Sequence, residues 1–142
     1  MTLFNGENLT EFIGKPKIFI IQACRGKQYG GGVRDQSDDG PSSTSDVQMD
    51  EGYSSLPFKT RPVNADMLLA HATSEGTKAW RNEDEGSWFI HHFCHVIRED
   101  REDHLVEILT TVNLLVAQRV SSEKGAKQMP QQITSLTKKL FL

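Results

Sequence analysis

Near its N-terminus, in Lys17-Ile18-Phe19-Ile20-Ile21, the chain carries a short apolar run directly after a lysine, which few kinds of fold accommodate. β-Branched and aromatic residues follow one another there, without the polar alternation of a half-exposed strand. The run therefore predicts a strand covered on both faces, as in a parallel sheet, that ends at Cys24. Open α/β sheets bind ligands beyond the carboxyl ends of such strands. The position of Cys24 indicates a site, although an isolated cysteine is more often a small buried residue.

Two further segments extend this pattern. The mostly apolar stretch Asp66–Thr73 has the length of a strand and predicts a second one, although its composition would also suit a helix. Ser87 is suited to cap a helix that runs to about Glu99. The apolar face of that helix is formed by residues at helical spacing, namely Phe89, Phe93, Val96 and Ile97.

The C-terminal half shows the clearest helical periodicity. A second helix is predicted to follow Asp103, with apolar positions at Leu105, Ile108, Leu109, Val112, Leu115, Val116 and Val120. After Pro130 a polar and β-branched segment leads to Leu140-Phe141-Leu142, the predicted last strand. Strands separated by helices predict an α/β sandwich.

The stretch from residue 27 to 62 differs in composition from the rest of the chain. Its glycine, serine and aspartate residues cannot form a core, and loops of this length are usually functional or disordered. We therefore interpret residues 27–62 as a flexible linker that is open to cleavage, between residues 1–26 and 63–142.

Composition excludes several classes of function. The net charge is -3 and no basic stripe is present, which disfavours nucleic acid as a partner. The longest apolar stretch, Ile18–Ile21, is far shorter than the roughly 20 residues of a membrane span. No signal peptide is evident, so we expect a cytoplasmic protein whose two cysteines, Cys24 and Cys94, are free thiols.

The residues around Cys24 make it a candidate nucleophile. Gln22-Ala23-Cys24-Arg25-Gly26 matches the local signature of the caspase nucleophile. The match continues in Gly14-Lys15-Pro16-Lys17, Trp80-Arg81-Asn82, Gly86-Ser87-Trp88-Phe89-Ile90, Val112-Asn113, Lys127-Gln128-Met129-Pro130 and Leu136-Thr137-Lys138-Lys139-Leu140. The chain thus resembles the C-terminal part of the catalytic domain of caspases, the aspartate-specific cysteine proteases.

This resemblance implies a three-layer α/β sandwich whose mostly parallel central sheet is flanked by helices and is incomplete at the N-terminus. It makes residues 1–26 the end of the large subunit, 27–62 the intersubunit linker and 63–142 the small subunit of one precursor. The implied activity is hydrolysis of peptide bonds after aspartate, in apoptosis, by a zymogen that is cut to become active. No cofactor is implied.

The resemblance also assigns roles to individual residues. Cys24 becomes the nucleophile, and its own N–H becomes one donor to the oxyanion. Arg81 binds the P1 aspartate through its planar guanidinium. Gln22 lines the same pocket, and the neighbouring subsites are shaped by Trp80, Asn82 and Trp88. Many caspases carry an aromatic residue and a serine where this chain has Lys78-Ala79, which leaves the S2 preference open.

The catalytic histidine of the family lies about 50 residues before the cysteine, whereas 23 residues precede Cys24 here. A second pocket arginine and an oxyanion glycine are expected upstream as well. We therefore expect this chain alone to be inactive, whether it is a shortened chain, the product of an alternative start or a short homologue. The histidines present all follow the cysteine and are not expected to substitute: His71, His91, His92, His95 and His104.

A zinc site is conceivable at His91, Cys94 and His95, but solvated helix residues explain them better, and we expect no metal. Caspase processing would require an aspartate in the linker. Asp39, which precedes a glycine, is the first choice, and Asp50 is the second. The remaining linker aspartates are weaker candidates: Asp35, Asp38 and Asp46.

Partners follow from the same resemblance. Residues Gln132–Leu142 would pair with those of a second copy across a two-fold axis and so cover a sheet edge. An alternative function is that of a non-catalytic regulator, which binds a full-length relative through that edge. The intact Cys24, Gln22 and Arg81 favour the protease, and the missing histidine favours the regulator.

Overall fold

The computed structural model describes residues 2–33, 61–99, 102–122 and 124–142. Two short 3-10 turns, Thr2–Phe4 and Thr10–Phe12, precede the first strand. The remaining elements follow in chain order: β1 Lys17–Ile21, β2 Met67–His71, β3 Arg81–Asn82, β4 Gly86–Ser87, α1 Trp88–Glu99, α2 Leu105–Gln118 and β5 Gln131–Thr134. The predicted α/β class is confirmed.

The main sheet has the strand order β1-β2-β5. β1 runs parallel to β2, with Lys17 opposite Met67 and Ile21 opposite His71, while β5 is antiparallel to β2. Both strands predicted for this region are present, and β1 ends three residues before Cys24. The sheet of the described residues is mixed, so the prediction of a mostly parallel sheet holds only for the pair β1–β2.

The core lies on one face of this sheet. Leu68 and Ala70 of β2 are buried there, and Ile18 and Ile20 of β1 pack beside them. Residues of α1 and α2 belong to the same cluster, so the described residues form two layers of the predicted three. On the opposite face the ring of Phe19 contacts Phe4 edge to face, with centroids 5.1 Å apart.

β1 is less covered than its apolar sequence predicts. All five of its residues are half-buried rather than buried. The strand is an edge strand of the described sheet, with β2 on one side only. A central strand would have a neighbour on each side, whereas within the described residues β1 pairs with β2 alone.

The first helix begins where its sequence predicts. Ser87 Oγ accepts a hydrogen bond from the N–H of Ile90 at 3.2 Å, which satisfies one of the free donors of the first turn of α1. Phe89 and Val96 are buried, and Phe93 and Ile97 pack against the core. The predicted cap and apolar face are both confirmed.

The second helix follows its predicted periodicity and begins just after Asp103. The residue at its N-cap is His104, which makes no side-chain cap hydrogen bond. Leu105, Ile108, Leu109, Val112 and Val116 are buried. Val120 lies beyond the last helical residue and is exposed, because the helix has ended before its side chain could face the core.

The prediction that Leu140-Phe141-Leu142 forms the last strand is wrong. β5 ends at Thr134, and the chain then turns towards the start of α2. The carbonyl of Leu140 accepts the N–H of Leu105 at 2.7 Å, and the ring of Phe141 meets His104 edge to face. The segment thus supplies the acceptor that the first turn of the helix would otherwise lack.

Most of the predicted linker, with the candidate cleavage sites Asp35, Asp38, Asp39, Asp46 and Asp50, lies outside the described residues. Its first residues are described, and two of them form isolated bridges, Gln28 with Thr77 and Gly30 with Lys127. Within the described ranges, no helix is both long enough and apolar enough to cross a membrane.

Candidate active site

The backbone after Cys24 is fastened to the loop that follows β2. The N–H of Arg25 donates to the carbonyl of Thr77 at 2.9 Å, and the N–H of Gly76 donates to the carbonyl of Arg25 at 3.0 Å. A Cβ on Gly26 would lie 2.1 Å from the carbonyl oxygen of Gly76. The two chains approach so closely that only glycine fits at position 26.

The Cys24 side chain is exposed at the end of this segment. The backbone N–H of Ala79 points at its sulfur, with N and Sγ 3.4 Å apart. The N–H of Cys24 itself makes no backbone hydrogen bond within the described ranges. The sulfur also lies 3.9 Å from the carbonyl oxygen of Ala79, and no histidine that the structure describes donates to or accepts from it.

Arg25 links the cysteine segment to β5. Its Nη1 donates to Gln131 Oε1 at 2.7 Å, and its guanidinium lies 4.0 Å from the carboxylate of the exposed Glu75. Burial, together with the charge of Arg25, lowers the pKa of His71. Both effects favour the neutral imidazole, and the Nδ1 of His71 is buried with no hydrogen-bond partner in the described part of the chain.

Gln22 and Arg81 are brought together through Ser87. Ser87 Oγ donates to Gln22 Oε1 at 3.0 Å, and the backbone of Ser87 pairs with that of Arg81 in the β3–β4 hairpin. Arg81 is exposed, and its guanidinium makes no hydrogen bond or ion pair to the described residues. Ser87 therefore contacts both predicted pocket residues, Gln22 through its side chain and Arg81 through its backbone.

The two tryptophans form one wall. The rings of Trp80 and Trp88 stack with centroids 6.0 Å apart. The guanidinium of Arg119 lies 5.1 Å from the Trp88 ring and forms an ion pair with Glu85. The hydrogen bond from Arg119 lowers the pKa of Glu85. Arg119, at the end of α2, thus fastens the hairpin to the start of α1.

The side chain of Asn82 contacts Glu85 in the turn of the β3–β4 hairpin. Its Oδ1 accepts the N–H of Glu85 at 2.6 Å, and its Nδ2 lies 3.4 Å from the Glu85 carboxylate. The predicted contact of Asn82 with substrate would have to share these groups with the turn.

Gln128 supports the site, and sequence reasoning did not single it out. The side chain is 2% exposed. Its Oε1 accepts the N–H of Trp80 at 2.6 Å, and its Nε2 donates to the carbonyl of Ala72 at 2.7 Å. The family match of Lys127-Gln128-Met129-Pro130 marks the position, but only the folded chain shows that this amide joins β2 to the tryptophan wall.

The residues considered for a zinc site lie near one another but do not form an ion-binding group within the described residues. His91, Cys94 and His95 line one groove on the outer side of α1 together with Arg98. Among the residues that the structure describes, no three His, Cys, Asp or Glu side chains lie close enough together to hold an ion.

Comparison with known proteins agrees with this geometry. The sequence model of the caspase domain family matches residues 1–141 of this chain. Caspase-7 of Gallus gallus is 38% identical over 147 residues, which cover 99% of this chain and 45% of that protein. Caspase-3 of Oryctolagus cuniculus is 36% identical over 147 residues, covering 99% and 48%.

The similarity extends to a solved structure. The crystal structure of caspase-1 from Spodoptera frugiperda matches with a TM-score of 0.76 and 30% sequence identity, over 98% of this chain and 50% of that one. The chain spans about half the length of the curated relatives it matches. It belongs to the caspase family of cysteine proteases.

Proposed function

We propose that this chain is the C-terminal part of a caspase catalytic domain and supplies the nucleophile for hydrolysis of peptide bonds after aspartate. The observation that carries the proposal is the exposed sulfur of Cys24, which contacts the N–H of Ala79 two residues before Arg81. The guanidinium of Arg81 has no ion pair among the described residues, and cleavage after an acidic residue requires both a nucleophile and a fixed cation.

The chemistry follows from these groups. The Cys24 thiolate attacks the scissile carbonyl and the amine leaves with a proton, after which water releases the acyl group. The free N–H of Cys24 donates to the oxyanion that forms during each attack. Arg81 can pair with the P1 carboxylate through two parallel hydrogen bonds, with the amide of Gln22 beside it.

The proton-transfer group has to come from elsewhere. No described histidine contacts the sulfur, and the family places its histidine before the cysteine. The outer edge of β1 is unpaired within the described sheet, which gives preceding strands a place to add. We therefore assign the histidine and the second pocket arginine to an upstream segment that pairs with β1.

The proposal extends to assembly and activation. The outer edge of β5 is unpaired in the described sheet, and a second copy could add there. Cleavage at Asp39, or else at Asp50 or Asp38, would separate residues 63–142 as a small subunit. We place the protein in the cytoplasm and in apoptotic proteolysis.

The test is cleavage of a fluorogenic acetyl-Asp-Glu-Val-Asp peptide. This chain, the chain extended upstream through the histidine, and the Cys24→Ala variant of the extended chain are compared. We expect activity only in the extended chain with Cys24 intact.

The other outcomes are equally informative. Activity of the short chain would contradict the assignment of the histidine to an upstream segment. An inactive extended chain that nevertheless alters the activation of a full-length caspase would favour the non-catalytic regulator instead.

A further inference from the structure

Lys78 is a cation next in sequence to the residue that contacts the nucleophile. It directly precedes Ala79, whose N–H points at the Cys24 sulfur. The ammonium of Lys78 lies over the ring of Tyr29, 4.1 Å from its centroid. A second ammonium, that of Lys124, lies 5.0 Å from the same centroid. Two cations therefore share one aromatic ring beside the cysteine segment.

Neither cation is paired with a carboxylate that the structure describes. Attraction to an aromatic ring stabilises an exposed ammonium only weakly and leaves its charge in place. The Tyr29 ring in turn lies 5.7 Å from that of Trp80, so both charges border the tryptophan wall.

The spacing of an extended peptide allows Lys78 to face P2, the residue that precedes the scissile aspartate. Adjacent residues of an extended chain are about 3.8 Å apart at Cα. When the P1 carbonyl lies on the Cys24 sulfur, the P2 side chain is thus within reach of the residue next to Ala79. The flexible stem of Lys78 can follow it.

We propose that Lys78, assisted by Lys124, makes the P2 subsite prefer an acidic side chain, so that the favoured substrates carry two consecutive acidic residues that end in aspartate. This inference rests on the proposed protease function. An apolar P2 side chain would gain contact with Tyr29 and Trp80 but would displace hydrated ammonium groups. A P2 carboxylate would instead be attracted to both ammonium groups.

The size of the preference follows from the exposure of the lysines. Exposed ion pairs contribute little, so each lysine should raise the rate constant for an acidic P2 residue about two- to threefold. Together they should favour glutamate over the isosteric glutamine about fivefold, and the ratio should approach one in concentrated salt because the charges are screened.

The experiment measures kcat/KM of the chain extended through the histidine on acetyl-Asp-Glu-X-Asp peptides, with glutamate, glutamine or valine as X. The wild type should favour glutamate. Lys78→Gln should lower the glutamate-to-glutamine ratio about two- to threefold, and the double variant with Lys124→Gln should bring it to about one. Lys78→Arg keeps the charge and should keep the ratio.

Lys15→Gln is the matched control. Lys15 also lies over a ring, that of Phe12, but away from the cysteine segment, so the ratio should not change. A wild type that prefers glutamine or valine, or a ratio unchanged in Lys78→Gln, would overturn the inference alone. Failure to cleave any of the three peptides would overturn the proposed function, and the inference with it.

Discussion

Asp66 joins the C-terminal segment to the start of β2 through its ionised carboxylate. Its φ is 60°, and its carboxylate accepts hydrogen bonds from the hydroxyl and the N–H of Thr137 and from Arg61. The Thr137 hydroxyl above all, helped by Arg61, lowers the pKa of Asp66 against the opposing effect of burial. One ionised side chain thereby fixes the C-terminal segment to the start of β2.

Because protonation of Asp66 is coupled to folding, its lowered pKa predicts how acid changes the free energy of unfolding. A carboxyl whose folded pKa lies below its unfolded value of about 3.9 stabilises the fold above that value, and this contribution is lost as pH falls through the folded pKa. Asp66→Asn tolerates the positive φ but loses the charge. It should cost about 2 kcal/mol near neutral pH and progressively less as the pH falls through the lowered folded pKa.

Urea unfolding at several pH values measures this difference. Asp103→Asn is the control, because Asp103 is half-exposed and makes no comparable contacts among the described residues. If the two variants lost stability in parallel with the wild type as the pH falls, the contribution of Asp66 to the acid response would be refuted.

At the level of elements, the cysteine segment depends on one close approach. Gly26 passes the carbonyl of Gly76 with no room for a methyl group, while the hydrogen bonds of Arg25 and Gln28 hold the two chains together. Gly26→Ala must push the segment away from Gly76. Misplacement of a nucleophile by about 1 Å can cost about a hundredfold in rate.

We therefore expect Gly26→Ala to lower kcat/KM of the extended chain at least about tenfold. Gly31→Ala is the matched control, since a Cβ there meets no atom within 4 Å. The alkylation rate of Cys24 by iodoacetamide, in a Cys94→Ser background, reports on the same segment without catalysis. Equal rates for both glycine variants would show that the close approach does not position the cysteine.

The sequence predicts those elements whose residues respond to local rules. Apolar spacing located α1 and α2, and Ser87 caps α1 because a hydroxyl before a helix finds its N–H groups without help from distant residues. The last strand was misplaced because Leu140 meets the N–H of Leu105, a contact far away in sequence. β-Branched and apolar composition alone could not distinguish these two outcomes.

The difference between local signals and contacts distant in sequence also decides which residues of the site could be predicted. Cys24, Gln22 and Arg81 were predicted through the family resemblance, and the structure links Gln22 to Arg81 through Ser87. Gln128 was missed because a glutamine in a polar stretch carries no sign that it will be buried. Its role depends on the backbone groups of Ala72 and Trp80, which only tertiary folding brings together.

At the level of the whole molecule, the described sheet ends on both sides in an unpaired strand. β1 offers one edge and β5 the other, with Ile133 of β5 53% exposed. Unpaired edges with apolar side chains tend to recruit further strands. The proposed upstream segment and the proposed second copy would add at opposite ends, so the two associations need not compete.

A charged substitution on β5 should disrupt the association with a second copy and leave the association with the upstream segment intact. Around a two-fold axis each β5 meets its own copy, so Ile133→Glu brings like charges close together, which destabilises the paired strands. We expect the extended chain to sediment as a dimer and this variant as a monomer that still retains its upstream segment. Leu114→Glu, at a 58% exposed position on α2, should remain dimeric and shows whether any added charge suffices. A dimer that persists in Ile133→Glu but is lost in Leu114→Glu would contradict pairing through β5 and place the interface on the exposed face of α2.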